Sequence, residues 1–245
     1  MIDVRNIETY PPKSVVKEEI ESETKKMVKE IGELSRIFEA DKSHSLLIVL
    51  QGMDSSGKDG ISRKIFRNVS PTVICEYGFK KPSPEESNHD FLWRVHKQVP
   101  EKGHFKIFNR SHYEDVLVQR VHNWIDEEKV AKRFKAIRDF EDLLEFDGNT
   151  TILKFFLHIS HKKQQEKLNE RIEKLEKNWK YNPNDFKESE LWDKYMDAYN
   201  DVVNQDGVQW HIIPADKQWY RDYNVAKVVR DTLKKMDLKY PKIDI

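Results

Sequence analysis

Five short apolar runs punctuate an otherwise charge-rich chain: "LLIVLQ" (46–51), "TVICEY" (72–77), "FKIFN" (105–109), "TILKFFLH" (151–158) and "WHIIPA" (210–215). Each is rich in β-branched or aromatic residues, and helical spacing of apolar positions fills the intervals. That pattern predicts five buried strands and helices over 14–40, 58–69, 85–98, 113–123, 126–146, 160–180, 188–204 and 217–236. Strands alternating with helices need right-handed crossovers, and so imply a parallel sheet covered on both faces. The expectation is one α/β domain over residues 1–245. Its first forty residues, with Val16, Ile20, Met27, Ile31 and Leu34 on one stripe, form a long helix on the sheet, preceded by an arm. No internal repeat or low-complexity tract interrupts it.

Composition narrows the function classes. Lys plus Arg and Asp plus Glu both number 43, so the chain has no net charge. A nucleic-acid binder working through phosphate contacts would show a basic excess, and any polyanion site must therefore be a local patch. The single cysteine, Cys75, excludes an internal disulfide and a Cys-rich zinc cluster, and its place in a strand predicts a small buried thiol. Of the nine histidines, those at 89, 96, 104, 112, 122 and 158 have no zinc-like spacing. The N-terminus lacks a signal-peptide pattern, and "LLIVL" is far short of a bilayer span. These features predict a cytoplasmic protein with no membrane segment.

The stretch "LLIVLQGMDSSGKDGISRKIF" (46–66) carries the first chemistry. Gly52 to Lys58 satisfy G-x-x-x-x-G-K, with a strand before and a helix after. Such a loop turns its backbone N–H groups inward onto phosphate oxygens, and Lys58 and the helix N-terminus add positive charge. Gly52, Met53, Ser55, Ser56, Gly57, Lys58, Asp59 and Gly60 are the candidate phosphate contacts. Asp59 stands where a hydroxyl normally binds Mg²⁺, and Asp54 lies inside the loop. A carboxylate beside phosphate makes sense with a divalent cation between them, which marks Asp54 as a metal ligand. Asp59 has two readings, a metal ligand or a first-turn acid facing the helix dipole.

A second acidic site follows the third strand, in "FNRSHYEDV" (108–116). Ligands gather outside the carboxyl ends of parallel strands, so Asn109 to Asp115 should face the loop. Glu114 and Asp115 are the candidate carboxylates and Arg110 the candidate charge-neutralising cation. Ser111 and Glu114 have capping-box spacing, which moves the metal assignment toward Asp115. On helix 160–180, Lys163, Lys167, Arg171 and Lys174 share one stripe, Leu168, Ile172, Leu175 and Trp179 another, and glutamates a third. The apolar stripe should pack. The basic stripe either lines a phosphate path or belongs to a solvated surface of i,i+4 pairs such as Glu170–Lys174, Glu173–Lys177 and Glu176–Lys180. Lys80 and Lys81, after the second strand, either meet an anion or lie in a solvated turn. Asp90 and Arg94 have ion-pair spacing, and Pro214 to Lys217 either wall a base or merely join strand to helix.

Taken in order, "GMDSSGKDG", "FNRSHYEDV", "HIS" (158–160), "ELWDKYMDAY" (190–199) and "IIPADKQWYRDYNVA" (212–226) resemble the family-two polyphosphate kinases, across about residues 44 to 236. The resemblance implies a P-loop kinase-like three-layer α/β/α fold, with a helical lid at about 160–187 and an N-terminal helical extension over about 1–43. It implies phosphoryl transfer between inorganic polyphosphate and adenine or guanine nucleotides, with Mg²⁺ or Mn²⁺, in a homo-oligomer (dimer or tetramer) that binds no nucleic acid. Many members carry aspartate where this chain has Asn109, which moves the metal assignment to Asp54 and Asp115. The acid at Glu114 resembles the subgroup that accepts AMP as well as ADP, where other members have asparagine. In the family, lid cations reach the polyphosphate, and Lys167 and Arg171 match them by position. The expected roles are thus Lys58 and the loop holding phosphate, Asp54 and Asp115 holding metal with Glu114 assisting, Arg110 and Arg171 offsetting charge, and Lys80, Lys81 and Lys167 guiding the chain. Two other functions fit the phosphate loop: an ATP-dependent nucleoside or nucleotide kinase, and a non-catalytic polyanion or nucleotide sensor.

Overall fold

The computed structural model describes residues 1–242. Its five strands are β1 (Ser45–Gln51), β2 (Ile74–Gly78), β3 (Phe105–Asn109), β4 (Thr150–His158) and β5 (Trp210–Pro214). They form one parallel sheet in the order β2-β3-β1-β4-β5. All seven residues of β1 are buried, as a central strand covered on both faces requires. Chain order switches sides at β1, which has β3 on one flank and β4 on the other, so a crevice opens at its carboxyl end.

The helices are α1 (Lys17–Asp41), α2 (Lys58–Ile65), α3 (Pro84–Ser87), α4 (Trp93–His96), α5 (Glu114–Val121), α6 (Glu127–Phe146), α7 (His161–Glu173), α8 (Pro183–Glu190), α9 (Trp192–Val203) and α10 (Gln218–Lys235). One layer groups α1, α2 and α10, the other α5, α6 and α9. Among the described residues no helix is long and apolar enough to cross a membrane.

Several predicted elements break, each for a local reason. The helix expected over 85–98 becomes α3 and α4. A capping box between Ser83 and Glu86 starts the first, and the Asp90 carboxylate accepts from the N–H groups of Leu92 and Trp93, so the chain restarts there. That restart leaves Arg94 unpaired with Asp90; its guanidinium meets Asp115 at 2.9 Å instead. The helix expected over 160–180 stops at Glu173, because Lys174 is extended, and a 3₁₀ turn (Leu175–Lys180) follows. Its apolar stripe does not pack as one face: Leu168 is buried, whereas Ile172, Leu175 and Trp179 are exposed. Of the three expected i,i+4 pairs only Glu170–Lys174 forms, and Lys177 turns back to Glu170 as well. The helix expected over 188–204 divides into α8 and α9. Cys75 is exposed rather than buried, because β2 is an edge strand.

The N-terminal arm is ordered. Backbone groups of Ile2 and Val4 pair with the side-chain amides of Asn204, the C-cap of α9, and of Asn200 within it, and Arg5 pairs with Asp197. Further along, Thr9 bonds Asp216 through both its hydroxyl and its carbonyl, and the same carboxylate accepts from the N–H and hydroxyl of Ser160, the cap of α7.

Under the sheet, Lys154 of β4 is fully buried and donates to Glu141 of α6 at 2.7 Å and to the Tyr113 hydroxyl at 2.8 Å. His112 and Tyr113 also reach Glu141, so one carboxylate fixes the segment between β3 and α5. Burial lowers the Lys154 pKa and opposes ionisation of Glu141, but His112 and Lys154 outweigh it and hold that carboxyl ionised. Removing one partner leaves a buried charge uncompensated. Lys154→Met is expected to cost about 3–5 kcal/mol in urea unfolding, and adding Glu141→Leu should recover part of it. A single variant with an unchanged midpoint would contradict this assignment.

Candidate active site

The segment between β1 and α2 wraps as a phosphate loop. Gly52, Ser55 and Gly57 have positive φ (145°, 66° and 96°), and Ser56 N–H closes a turn on the Met53 carbonyl. Gly57 caps α2 in the left-handed region, and a Cβ there would lie 1.7 Å from the guanidinium of Arg221. Only glycine meets both demands. Lys58 is buried and its ammonium donates to the Gly52 and Met53 carbonyls at 2.6 and 3.2 Å.

Four charges crowd the loop. Asp54 accepts from Arg110 at 2.7 Å, and Arg110 itself sits at φ 62° directly after β3. Burial works against the Asp54 carboxylate, yet Arg110 and Lys58 outweigh it and hold its pKa below the ordinary value. Burial lowers the Lys58 ammonium, with Asp54 opposing and Arg110 adding. Glu114 completes the set: burial raises its carboxyl, Asp54 adds to the rise, and Arg110 and Lys58 oppose it. Two carboxylates in mutual repulsion, one of them resisting ionisation, fit a divalent cation. Mg²⁺ is typically held by one or two carboxylates together with substrate phosphates and water. Among the described residues no cluster of three or more His, Cys, Asp or Glu could hold a metal alone, so a cation at these two carboxylates would need phosphate oxygens as well.

The structure gives Asp115 partners of its own. Its carboxylate is buried at 4% exposure, hydrogen-bonded by Gln119 and paired with Arg94, which also donates to the Lys80 carbonyl. The physical reason lies at the helix start. Tyr113, not Ser111, is the N-cap of α5, the capping box does not form, and Ser111 instead accepts from Gln51 and Tyr113 N–H. Glu114, freed from capping, turns toward Lys58. Asn109, at the end of β3, donates to Asp59 and Glu76 at 3.0 and 2.8 Å.

A cavity of about 810 Å³ opens above the loop, walled by the segment 161–190. Ten cationic side chains and five carboxylates line it, on a chain of zero net charge. Lys167 donates to the Ser55 carbonyl at 3.0 Å, and Arg171 to the Ser55 hydroxyl at 2.8 Å while pairing with Asp185. Burial, with Arg221 nearby, lowers Lys167 to about 8. Lys80 lines the cavity; Lys81 is exposed outside it. Gly60 lies beneath Arg221 and Asp59 forms part of the floor. Sequence reasoning missed Arg221, whose buried guanidinium donates to the Ser56 carbonyl at 3.2 Å and is held by Asp222. Its only sequence signal was its place in "QWYRDY", within a stretch of family resemblance. Lys180, also missed, meets Asp59 at 3.0 Å.

A phosphate loop at the switch point of a parallel sheet, under a cation-lined cover, defines the P-loop kinase class. The profile of Polyphosphate kinase 2 (PPK2) matches residues 14–241, and the chain belongs to that family. It is 44% identical over 211 residues to the AMP/ADP-polyphosphate phosphotransferase of Meiothermus ruber, covering 85% of this chain and 79% of that protein. It is 35% identical over 229 residues to the ADP-polyphosphate phosphotransferase of Rhodopseudomonas palustris, covering 87% and 79%. The crystal structure of Polyphosphate Kinase 2 from Arthrobacter aurescens TC1 superposes with TM-score 0.95 at 36% identity, covering all of this chain and 89% of that one.

Because Asp115 answers a buried guanidinium, Asp115→Asn is expected to lower stability by about 3 kcal/mol, read from the urea midpoint. A variant with native stability would return Asp115 to a role outside the ion pair.

Proposed function

We propose that this protein transfers phosphoryl groups between inorganic polyphosphate and adenine or guanine nucleotides, taking AMP to ADP and ADP to ATP. The observation that carries the reading is the cavity: a surplus of cations concentrated over a phosphate loop, on a protein with no net charge. The phosphotransferase activities for which the relatives from Meiothermus ruber and Rhodopseudomonas palustris are named support it.

The acceptor's terminal phosphate is already anionic near neutral pH, so no general base is needed to make a nucleophile. The P–O bond to the polyphosphate chain breaks as the bond to the nucleotide phosphate oxygen forms. Positioning and charge stabilisation carry such a transfer, and no covalent enzyme intermediate is required. The backbone of 52–58 and Lys58 hold phosphate at the point of transfer. Arg110 and Arg171 offset charge on the transferring group, and Lys80 and Lys167 guide the chain, with Arg221 bracing the loop at Ser56 and Gly57. Asp54 and Glu114 are the residues that would hold Mg²⁺ or Mn²⁺, which would neutralise phosphate charge there. The segment 161–187 serves as the lid. The same reading places the protein in the cytoplasm, where its nucleotides are, as a homo-oligomer.

The test is ATP formation from long-chain polyphosphate and Mg²⁺, with ADP and AMP supplied separately. Product from both acceptors is expected. Product from ADP alone would remove the AMP assignment, and phosphorylation from ATP but never from polyphosphate would overturn the donor. Glu114→Gln should lower kcat by about 10²-fold or more with native stability; near-wild-type turnover would remove Glu114 from the site. Lys167 is charged below about pH 8 and neutral above it. The kcat/KM for polyphosphate should therefore fall as pH rises through about 8, and Lys167→Arg, which stays charged, should shift that limb upward. An unshifted limb would show that another group titrates.

A further inference from the structure

Asp59 occupies the loop position that ordinarily carries a metal-binding hydroxyl, yet both of its oxygens already have nitrogen partners. One accepts from the Asn109 side-chain amide at 3.0 Å, and the other from the Lys180 ammonium at 3.0 Å. Lys180 closes the 3₁₀ turn that follows the interrupted α7. Its backbone carbonyl accepts from Arg171 at 3.2 Å, and Arg171 in turn reaches the Ser55 hydroxyl at 2.8 Å. Lys180 is thus held by its side chain to the start of α2 and by its carbonyl to a guanidinium already resting on the phosphate loop.

We propose that Asp59 is a positioning residue that fastens the cover at Lys180 and so sets Arg171 over the phosphate loop, rather than a metal ligand. Three features support it. The contact joins residues 121 positions apart and is the direct tie between the far end of the 3₁₀ turn and α2. Asn109, itself anchored to Glu76, fixes the carboxylate so that its second oxygen faces Lys180. Both side chains keep partial solvent access, 60% for Asp59 and 33% for Lys180, which suits a contact that must open for polyphosphate to enter and leave. The assignment also explains why α7 ends early. A helix continued past Glu173 would keep Lys180 on the helix axis, whereas the extended Lys174 turns the chain down toward α2.

This inference rests on the reading of the cavity as a phosphoryl-transfer site, and its test separates the two. Asp59→Asn, Lys180→Gln and the double variant are compared first by amide hydrogen exchange over 161–190, with no substrate present. Each single variant should raise exchange across 175–190 to the same extent, and the double variant no further. In the polyphosphate and ADP assay, each single variant should raise KM for polyphosphate by about threefold, the size an exposed pair supplies. The Mg²⁺ concentration for half-maximal rate should stay unchanged, and Lys180→Arg should retain the wild-type KM. A shifted Mg²⁺ requirement in Asp59→Asn but not in Lys180→Gln would overturn the proposal in favour of a metal ligand. Additive exchange effects, or unchanged exchange in either single variant, would overturn it outright. Absence of polyphosphate activity in the wild type would remove the function while leaving the exchange result to decide the tie.

Discussion

The structure depends on one constraint: charges gathered at the carboxyl end of a central parallel strand must neutralise one another within the protein. Lys58 and Arg110 are cations in a place where burial disfavours them, and Asp54 and Glu114 are carboxylates in the same position. None of the four is stable there alone. Together they make a balanced set with a residual demand for positive charge at Glu114. Arg110 reaches Asp54 only by adopting a left-handed backbone at the end of β3. The surrounding features follow from holding this set still. Arg221 presses the loop from one side, Lys167 and Arg171 from above, and the buried Lys154–Glu141 pair anchors the segment that carries Arg110 and Glu114.

The two aspartates of the loop resolve into different physical situations. Asp54 is enclosed with cations around it, where a carboxylate shapes the local field. Asp59 is at the rim, half in water, where a carboxylate makes exchangeable contacts. Their spacing of five residues around a tight turn separates an interior position from a boundary position. A phosphate loop can therefore carry two extra negative charges without repelling its substrate at both.

Much of the architecture was legible because it rests on local signals. β-branched runs marked all five strands, including β4, where Lys154 sits in an otherwise apolar strand. Glycine spacing marked the phosphate loop. The misreadings have long-range causes. Cys75 is exposed because β2 lies at the sheet edge, and strand order is not a property of the strand's own residues. The capping box expected at Ser111 and Glu114 does not form, because Gln51 and the Tyr113 N–H take the Ser111 hydroxyl; Glu114 then lies toward Lys58 while Asp115 pairs with Arg94. The break at Lys174 overrides a continuous helical pattern for the sake of contacts with α2. Arg221 acts on a loop 165 positions away, so no window of sequence contains both partners.

The strap formed by residues 2–9 has a consequence in time. Ile2 bonds a residue 202 positions later, and Thr9 meets Asp216 over a similar span. During synthesis the strap precedes those partners by roughly 10–40 s at ordinary elongation rates. The central strand and its glycine loop are complete long before, but the base of the cover at Ser160 cannot be secured until Asp216 has been made. The glycine loop is thus synthesised early, whereas Arg221, which braces it, and Asp216, which secures its cover, both follow late.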